Sequence, residues 1–266
     1  MTLILAPTAP SRERILAYGP PGAGKSYLWQ KTLAATPEEV IFHVIDTDGC
    51  WEPASASEEF APHAHRVHHY EPTNWSEFGD AVQKIMTSMD KARGDWWVVD
   101  MGDKAWSMAQ EFYSDRKHGT GEWDLDAIVD GTSGDDEDVM AKWGTINKLY
   151  SPFQRALIKV PGNVFVATSD KELKKDSKGN YFRESKRAVR DFGSIGSKPG
   201  GQKDLPYDLN TVLYLSKRAG SKRTIEMVKD RNRESRWEET QIPNEDFSMD
   251  FLFKIAGWRP VEGEGS

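Results

Sequence analysis

The chain has 266 residues, 38% hydrophobic and 29% charged, with a formal net charge of −7. That length holds one sizeable α/β domain. The composition leaves no apolar run of membrane-spanning length, and the acidic balance excludes a uniformly basic coat while leaving room for a local basic patch. The single cysteine, Cys50, excludes an internal disulfide and fits a reducing cytoplasm. The first seven residues lack the basic and apolar regions of a signal peptide.

Residues 1 to 14 read as a polar lead-in. Ile15 to Tyr18 is a short buried strand, and Tyr27 to Leu33 begins a helix. Between them stands Gly19-Pro20-Pro21-Gly22-Ala23-Gly24-Lys25-Ser26, a match to G-x-x-x-x-G-K-[ST]. Its glycines let successive N–H groups converge on one concavity, and the helix N-terminus adds partial positive charge there. Lys25 is placed to reach the β- and γ-phosphates of a nucleoside triphosphate, and the Ser26 hydroxyl to ligate Mg²⁺. The stretch from Gly19 to Tyr27 is therefore the expected ATP-binding segment.

Val40 to Ile45 is a β-branched run that reads as a second buried strand. It ends in Asp46-Thr47-Asp48-Gly49, where open α/β sheets bind ligands. A simple strand-ending turn would use the same residues. Residues 63 to 69 hold four histidines without metal-ligand spacing, and an exposed strand is the preferred reading. Trp75, Phe78, Val82, Ile85, Met86 and Met89 recur at helical spacing, with Thr73 or Asn74 as N-cap.

Asp95-Trp96-Trp97-Val98-Val99-Asp100 is an apolar strand ending in an acid, the Walker B pattern, 75 residues after Lys25. Asp100 would hold Mg²⁺ opposite Ser26. The next residue is Met101 rather than Glu, so any water-activating carboxylate must come from elsewhere. A helix is expected over Lys104 to Tyr113, then an acidic mobile insertion over 119 to 138. A further helical period from Trp143 to Val160 should break or kink near Pro152. Val164 to Ser169 is another strand, whose end at Thr168 and Ser169 should face the nucleotide.

Residues 171 to 203 hold ten basic against four acidic side chains. Lys171, Lys174, Lys175, Arg183, Lys186, Arg187 and Arg190, interleaved with Tyr181, Phe182 and Phe192, suit a long flexible loop that binds single-stranded DNA. A solvated hairpin around Lys178-Gly179-Asn180 is the competing reading. Asn210 to Leu215 and Thr224 to Val228 form a hairpin, followed by the cationic stretch Lys229-Asp230-Arg231-Asn232-Arg233. Phe247, Phe251, Leu252 and Ile255 mark a docking helix, and residues 259 to 266 a flexible tail.

The P-loop, the strand ending in Asp48, the Walker B strand without a following Glu and the late hairpin ending in Lys229-x-Arg231 together resemble the RecA-like ATPases. More narrowly, 143–148, 201–206 and 228–231 are similar to stretches of compact phage-encoded AAA-domain and single-strand annealing proteins. The resemblance covers residues 12 to 258. It implies one RecA-like domain over 15 to 258, a mostly parallel twisted sheet flanked by helices with a C-terminal antiparallel hairpin. Asp48 would activate water, Thr168 and Ser169 would sense the γ-phosphate, and residues 171 to 203 would form a DNA-binding loop. Lys229 and Arg231 would reach a neighbour's ATP across a filament or ring interface. A ring-forming helicase-type motor, a small-molecule P-loop kinase and a non-catalytic nucleotide switch remain as alternatives.

Overall fold

A computed structural model describes residues 2–4, 12–118, 136–217, 222–231, 233, 236–237 and 241–261. Five short apolar runs become strands because each is buried on both faces: β2 (Arg14–Tyr18), β3 (Phe42–Asp46), β5 (Trp96–Asp100), β6 (Asn163–Thr168) and β9 (Thr211–Lys217). They run parallel, with β4 (Val67–Tyr70) on one edge. On the other side β10 (Arg223–Asp230) pairs antiparallel with β9, and β11 (Gln241–Pro243) antiparallel with β10. The sheet order is β11-β10-β9-β2-β6-β5-β3-β4. One strand, β6, thus separates the P-loop strand β2 from the Walker B strand β5, and the carboxyl ends of all four strands of the expected site share one edge.

Helices cover both faces. On one, α1 (Lys25–Ala35), α2 (Trp51–Ser55) and a wide C-terminal helix (Ser248–Ile255) bury Trp29, Leu33, Trp96, Phe165, Phe251 and Leu252. On the other, α3 (Trp75–Ser88), α4 (Gly102–His118) and α5 (Asp136–Lys159) bury Phe78, Ile85, Trp97, Tyr150, Phe153 and Leu157. Asn74 caps α3 as expected, its side chain accepting from the Glu77 N–H at 3.0 Å. The fold is the mostly parallel, helix-flanked sheet with a C-terminal antiparallel ribbon that the sequence implies.

Four expectations differ from the structure. Helix α5 passes through Pro152 without a break. Proline removes one intrahelical bond at a cost of about 3 kcal/mol, and burial of Tyr150, Phe153 and Leu157 around it holds the helix. The 171–203 stretch is not one long flexible loop. It forms β7 (Asp170–Glu172), a turn closed by the Gly179 N–H on the Asp176 carbonyl, α6 (Lys186–Phe192) and β8 (Ser197–Pro199). Ser185 caps α6, and Ala188 and Phe192 anchor it to the core. Residues 61–66 of the histidine stretch form a 3-10 turn, leaving only Val67–Tyr70 extended. Finally, β12 (Arg259–Val261) pairs antiparallel with β1 (Thr2–Ile4), so part of the expected flexible tail is strand. The acidic insertion lies outside the described residues except Asp136 to Asp138, which begin α5. A short α7 (Leu205–Asp208) precedes β9.

Candidate nucleotide site

The segment Gly19–Ser26 joins β2 to α1 at the shared carboxyl edge. Gly24 takes φ +94°, and a Cβ there would lie 2.2 Å from the Asn244 side-chain nitrogen, so only glycine fits. Two residues from the far C-terminal part grip the loop. The Arg223 Nε donates to the Gly22 carbonyl at 3.0 Å, and Asn244 Nδ2 to the Ala23 carbonyl at 3.2 Å. Lys25, opening α1, turns its ammonium back over the loop to donate to Gly19 O (2.8 Å) and Pro20 O (3.1 Å). Tyr27, partly buried, packs edge-on against Phe60.

Asp100 ends β5 fully buried. Its Oδ2 accepts from the Trp29 indole (2.9 Å) and the Cys50 thiol (3.2 Å), while Oδ1 is buried with no partner among the described residues. Burial pushes the Asp100 carboxyl up, against hydrogen bonds from Trp29, Ser26 and Cys50. A buried carboxylate oxygen with an open lone pair beside a serine hydroxyl is the donor set that Mg²⁺ takes. Ser26 and Asp100 therefore fit that ion.

Burial lowers the Lys25 pKa, and Asp100, Asp103, Asp170 and Asp48 raise it, in that order. The structure thus brings Lys25, Asp48 and, just beyond β6, Asp170 into one electrostatic neighbourhood and adds Asp103, an acid that the sequence reading did not select. Asp48 is half exposed and ion-paired to Lys104 at 2.7 Å. Asp46, the last residue of β3, is committed to holding the turn that follows it. Its carboxylate accepts the Asp48, Gly49 and Trp51 N–H groups and lies 3.4 Å from the His69 ring. Burial raises its pKa, and the His69 and backbone bonds overcome that to hold it at about 2. Asp103, in the first turn of α4, accepts the Ser169 hydroxyl at 2.5 Å, and its other oxygen is buried without a described partner. Thr168, at the end of β6, is fully buried with its hydroxyl likewise unpartnered among the described residues. Asp103 could have been found from its place three residues beyond the Walker B acid. Asn244 and Arg223 carried no local signal.

The remaining sequence-selected cations lie elsewhere. Lys171, Lys174, Lys175, Arg183, Lys186, Arg187 and Arg190 are all exposed. The rings expected to accompany them are mostly committed: Phe192 is buried, the Tyr181 hydroxyl donates to Gly193 O at 2.9 Å, and only Phe182 is half exposed. Lys229 and Arg231 sit at the opposite end of the sheet from the chain's own P-loop, because β10 runs against β2. Lys229 donates to Pro206 O at 2.6 Å and Arg231 to Tyr207 O. With Arg187, stacked 3.2 Å over the Tyr207 ring, and Arg190 they line a pocket of about 490 Å³. Burial, Arg231 and Arg187 together bring Lys229 down to about 8. Arg233, read from sequence as part of this cationic stretch, is buried instead and bonds both oxygens of Glu13 at 2.7 and 2.8 Å.

A P-loop on the central strand, a buried acid one strand beyond its neighbour and an antiparallel ribbon at the sheet's end define the RecA-like P-loop fold. The chain belongs to the family described as AAA domain, whose model matches residues 11–236. Among solved structures it is similar to one described as the crystal structure of the RadB recombinase, at 15% identity over 84% of each chain and a TM-score of 0.49. No curated protein matches. Among the described residues no helix is long and apolar enough to cross a membrane.

Proposed function

We propose that this protein is a cytoplasmic, Mg²⁺-dependent ATPase that acts on single-stranded DNA in recombination, annealing or repair of the phage type. The observation that carries the nucleotide part is the meeting of Lys25, Ser26 and Asp100 at one edge of the sheet, with an Asp100 oxygen open to a cation. Lys25 would leave the Gly19 and Pro20 carbonyls for the β- and γ-phosphates. The Gly19–Tyr27 backbone would cradle the phosphates, and bound Mg²⁺ would supply charge neutralisation there. Asp48 would polarise the attacking water once its pairing with Lys104 is exchanged. Thr168 and Ser169 would report the γ-phosphate.

The exposed cations from Lys171 to Arg190 support the nucleic-acid part, since a local basic face on an acidic protein attracts phosphate. The placement of Lys229 and Arg231 at the far end of the sheet supports an oligomer, filament or ring, in which each protomer offers these cations to the next one's ATP. Steady-state ATP hydrolysis with and without single-stranded oligonucleotide tests the reading. Stimulation by the strand, abolished in Lys25→Ala, is expected. Turnover that ignores single-stranded DNA at every salt concentration would return the chain to the small-molecule kinase class, and directional unwinding to the helicase-type motor.

A further inference from the structure

We propose that the groove lined by Trp106 and Trp143 seats a base of single-stranded nucleic acid against the stacked indole pair, and that its occupancy bears on the ATP site through Asp103. The inference rests on the single-strand reading above and gives that strand a place in the fold.

Trp106 on α4 and Trp143 on α5 lie 6.2 Å apart between ring centroids, with planes only 15° from parallel. Trp29, Trp51, Trp96, Trp97 and Trp258 are buried in the core, whereas these two are only partly covered. Tyr150 backs Trp106 edge-on at 5.0 Å and fixes its orientation. Together with Asn147, Gly201, Gln202 and Lys203 the pair lines a groove of about 210 Å³. An indole face stacks on any base regardless of sequence.

The polar wall suits a base edge and a strand phosphate. Gln202 is pinned by Gln154 at 3.2 Å, and its own amide donates to Asn147 Oδ1 at 3.3 Å. That bond occupies the Asn147 oxygen and leaves its amide nitrogen as a donor with no partner among the described residues. Lys203 is exposed and has no carboxylate partner among the described residues. One cation matches the single negative charge of a phosphodiester. A triphosphate would require more, and the P-loop already provides for it.

The same wall leans on the nucleotide site. The Gly200 N–H donates to Ser169 O at 2.8 Å, and a Cβ on Gly200 would fall 2.5 Å from Ser169 Oγ. A Cβ on Gly201, at φ +82°, would fall 3.0 Å from Asp103 Cα. Asp103 lies one helical turn before Trp106, bonds Ser169 and contributes to the field at Lys25. A base that displaces Gly201 to Lys203 therefore presses on the backbone that positions Asp103.

The test uses the full chain with Mg²⁺ and a non-hydrolysable ATP analogue, titrated with oligo(dT) or with dTMP. Binding is read from tryptophan fluorescence and, independently, from anisotropy of a labelled oligonucleotide. Trp143→Ala and Lys203→Glu should each weaken oligo(dT) binding at least tenfold, Trp143→Phe should retain most of it, and dTMP should bind far more weakly. Circular dichroism melting checks each fold, and the exposed position of Lys203 keeps the second variant independent of packing. If the wild type binds oligo(dT) and both variants bind it equally well, the groove assignment is overturned while the single-strand reading stands. Equal affinity for dTMP would make the groove a free-nucleotide site and overturn the proposal. A wild type that binds no oligo(dT) at low salt removes the single-strand reading and this inference with it.

Discussion

The Trp29 indole donates to Asp100 Oδ2 across 2.9 Å, so the first helix after the P-loop holds from behind the acid proposed to bind Mg²⁺. The bond fixes which carboxylate oxygen stays open, and it lies wholly inside the core. Trp29→Phe keeps an aromatic ring in the core, removes the donor and leaves part of the indole's volume empty. Oδ2 would keep the weaker Cys50 thiol donor, and the lost hydrogen bond to a buried carboxylate together with the void costs about 1–3 kcal/mol. A matching fall in the urea midpoint is expected, together with weaker Mg²⁺-dependent nucleotide binding by calorimetry. Full stability in this variant would show that Asp100 does not depend on the indole.

Asp100 itself should trade stability for function. Its folded pKa stands above the ordinary 3.8 because burial disfavours the charge. The folded chain therefore holds its proton over a range where the unfolded chain has released it. Stability falls as pH rises through that range and stays reduced above it. Asp100→Asn removes the buried charge, and in metal-free buffer at neutral pH it should stabilise the chain by about 1–2 kcal/mol. The same variant should lose the rise in melting temperature that Mg²⁺ and ATP analogue give the wild type. Parallel melts with and without Mg²⁺ read both effects.

The elements that were plain in the sequence are those whose signal is local. Runs such as Trp96 to Asp100 are apolar because both faces of a parallel strand are covered, and the P-loop is recognised by its own eight residues. Asn74 capping α3 is likewise a neighbour effect. What stayed hidden depends on chain brought from afar. Nothing near Asn244 announces that it closes over Gly24, and nothing near Glu13 announces Arg233, 220 residues away. The basic stretch misled for a related reason. Its polar composition matched a free loop, while three small anchors, the Ser185 cap, Ala188 and Phe192, were enough to fold α6 onto the core. Asp103 was missed because the motif stops at Asp100, although the helix that follows carries the next acid back to the same edge.

The Glu13–Arg233 pair locks the start of β2 to the chain beyond β10. Arg233 also bonds Asp230 at 3.2 Å and Thr211 at 3.3 Å, and both Glu13 and Arg233 are almost fully buried. Removing one partner of a buried pair strands the other charge, at a cost of about 3–5 kcal/mol. Arg233→Ala should therefore unfold at markedly lower urea, and Glu13→Gln, which keeps an acceptor and sheds the charge, should lose less. Equal losses in the two variants would point to packing alone as the role of this site. Neither residue borders the P-loop, so nucleotide affinity measured on the folded fraction should change little.

Lys229 gives the trans-cation reading a pH signature. Burial first, then Arg231 and Arg187, bring its pKa down to about 8 from the ordinary 10.5. Between those values the unfolded chain keeps a proton that the folded chain has lost, so this lysine makes stability rise with pH across that window. Its usefulness to a phosphate runs the other way, because the charge fades above about 8. If Lys229 serves a neighbour's ATP, strand-stimulated turnover should fall as pH rises through 8. Lys229→Arg keeps its charge over the whole range and should remove that limb of the profile. Lys229→Met should show low turnover already at pH 7, with higher stability there than the wild type. A pH profile identical in wild type and Lys229→Arg would sink the assignment. The monomer fold would not explain such a profile on its own, since Lys229 sits at the end of the sheet remote from its own P-loop.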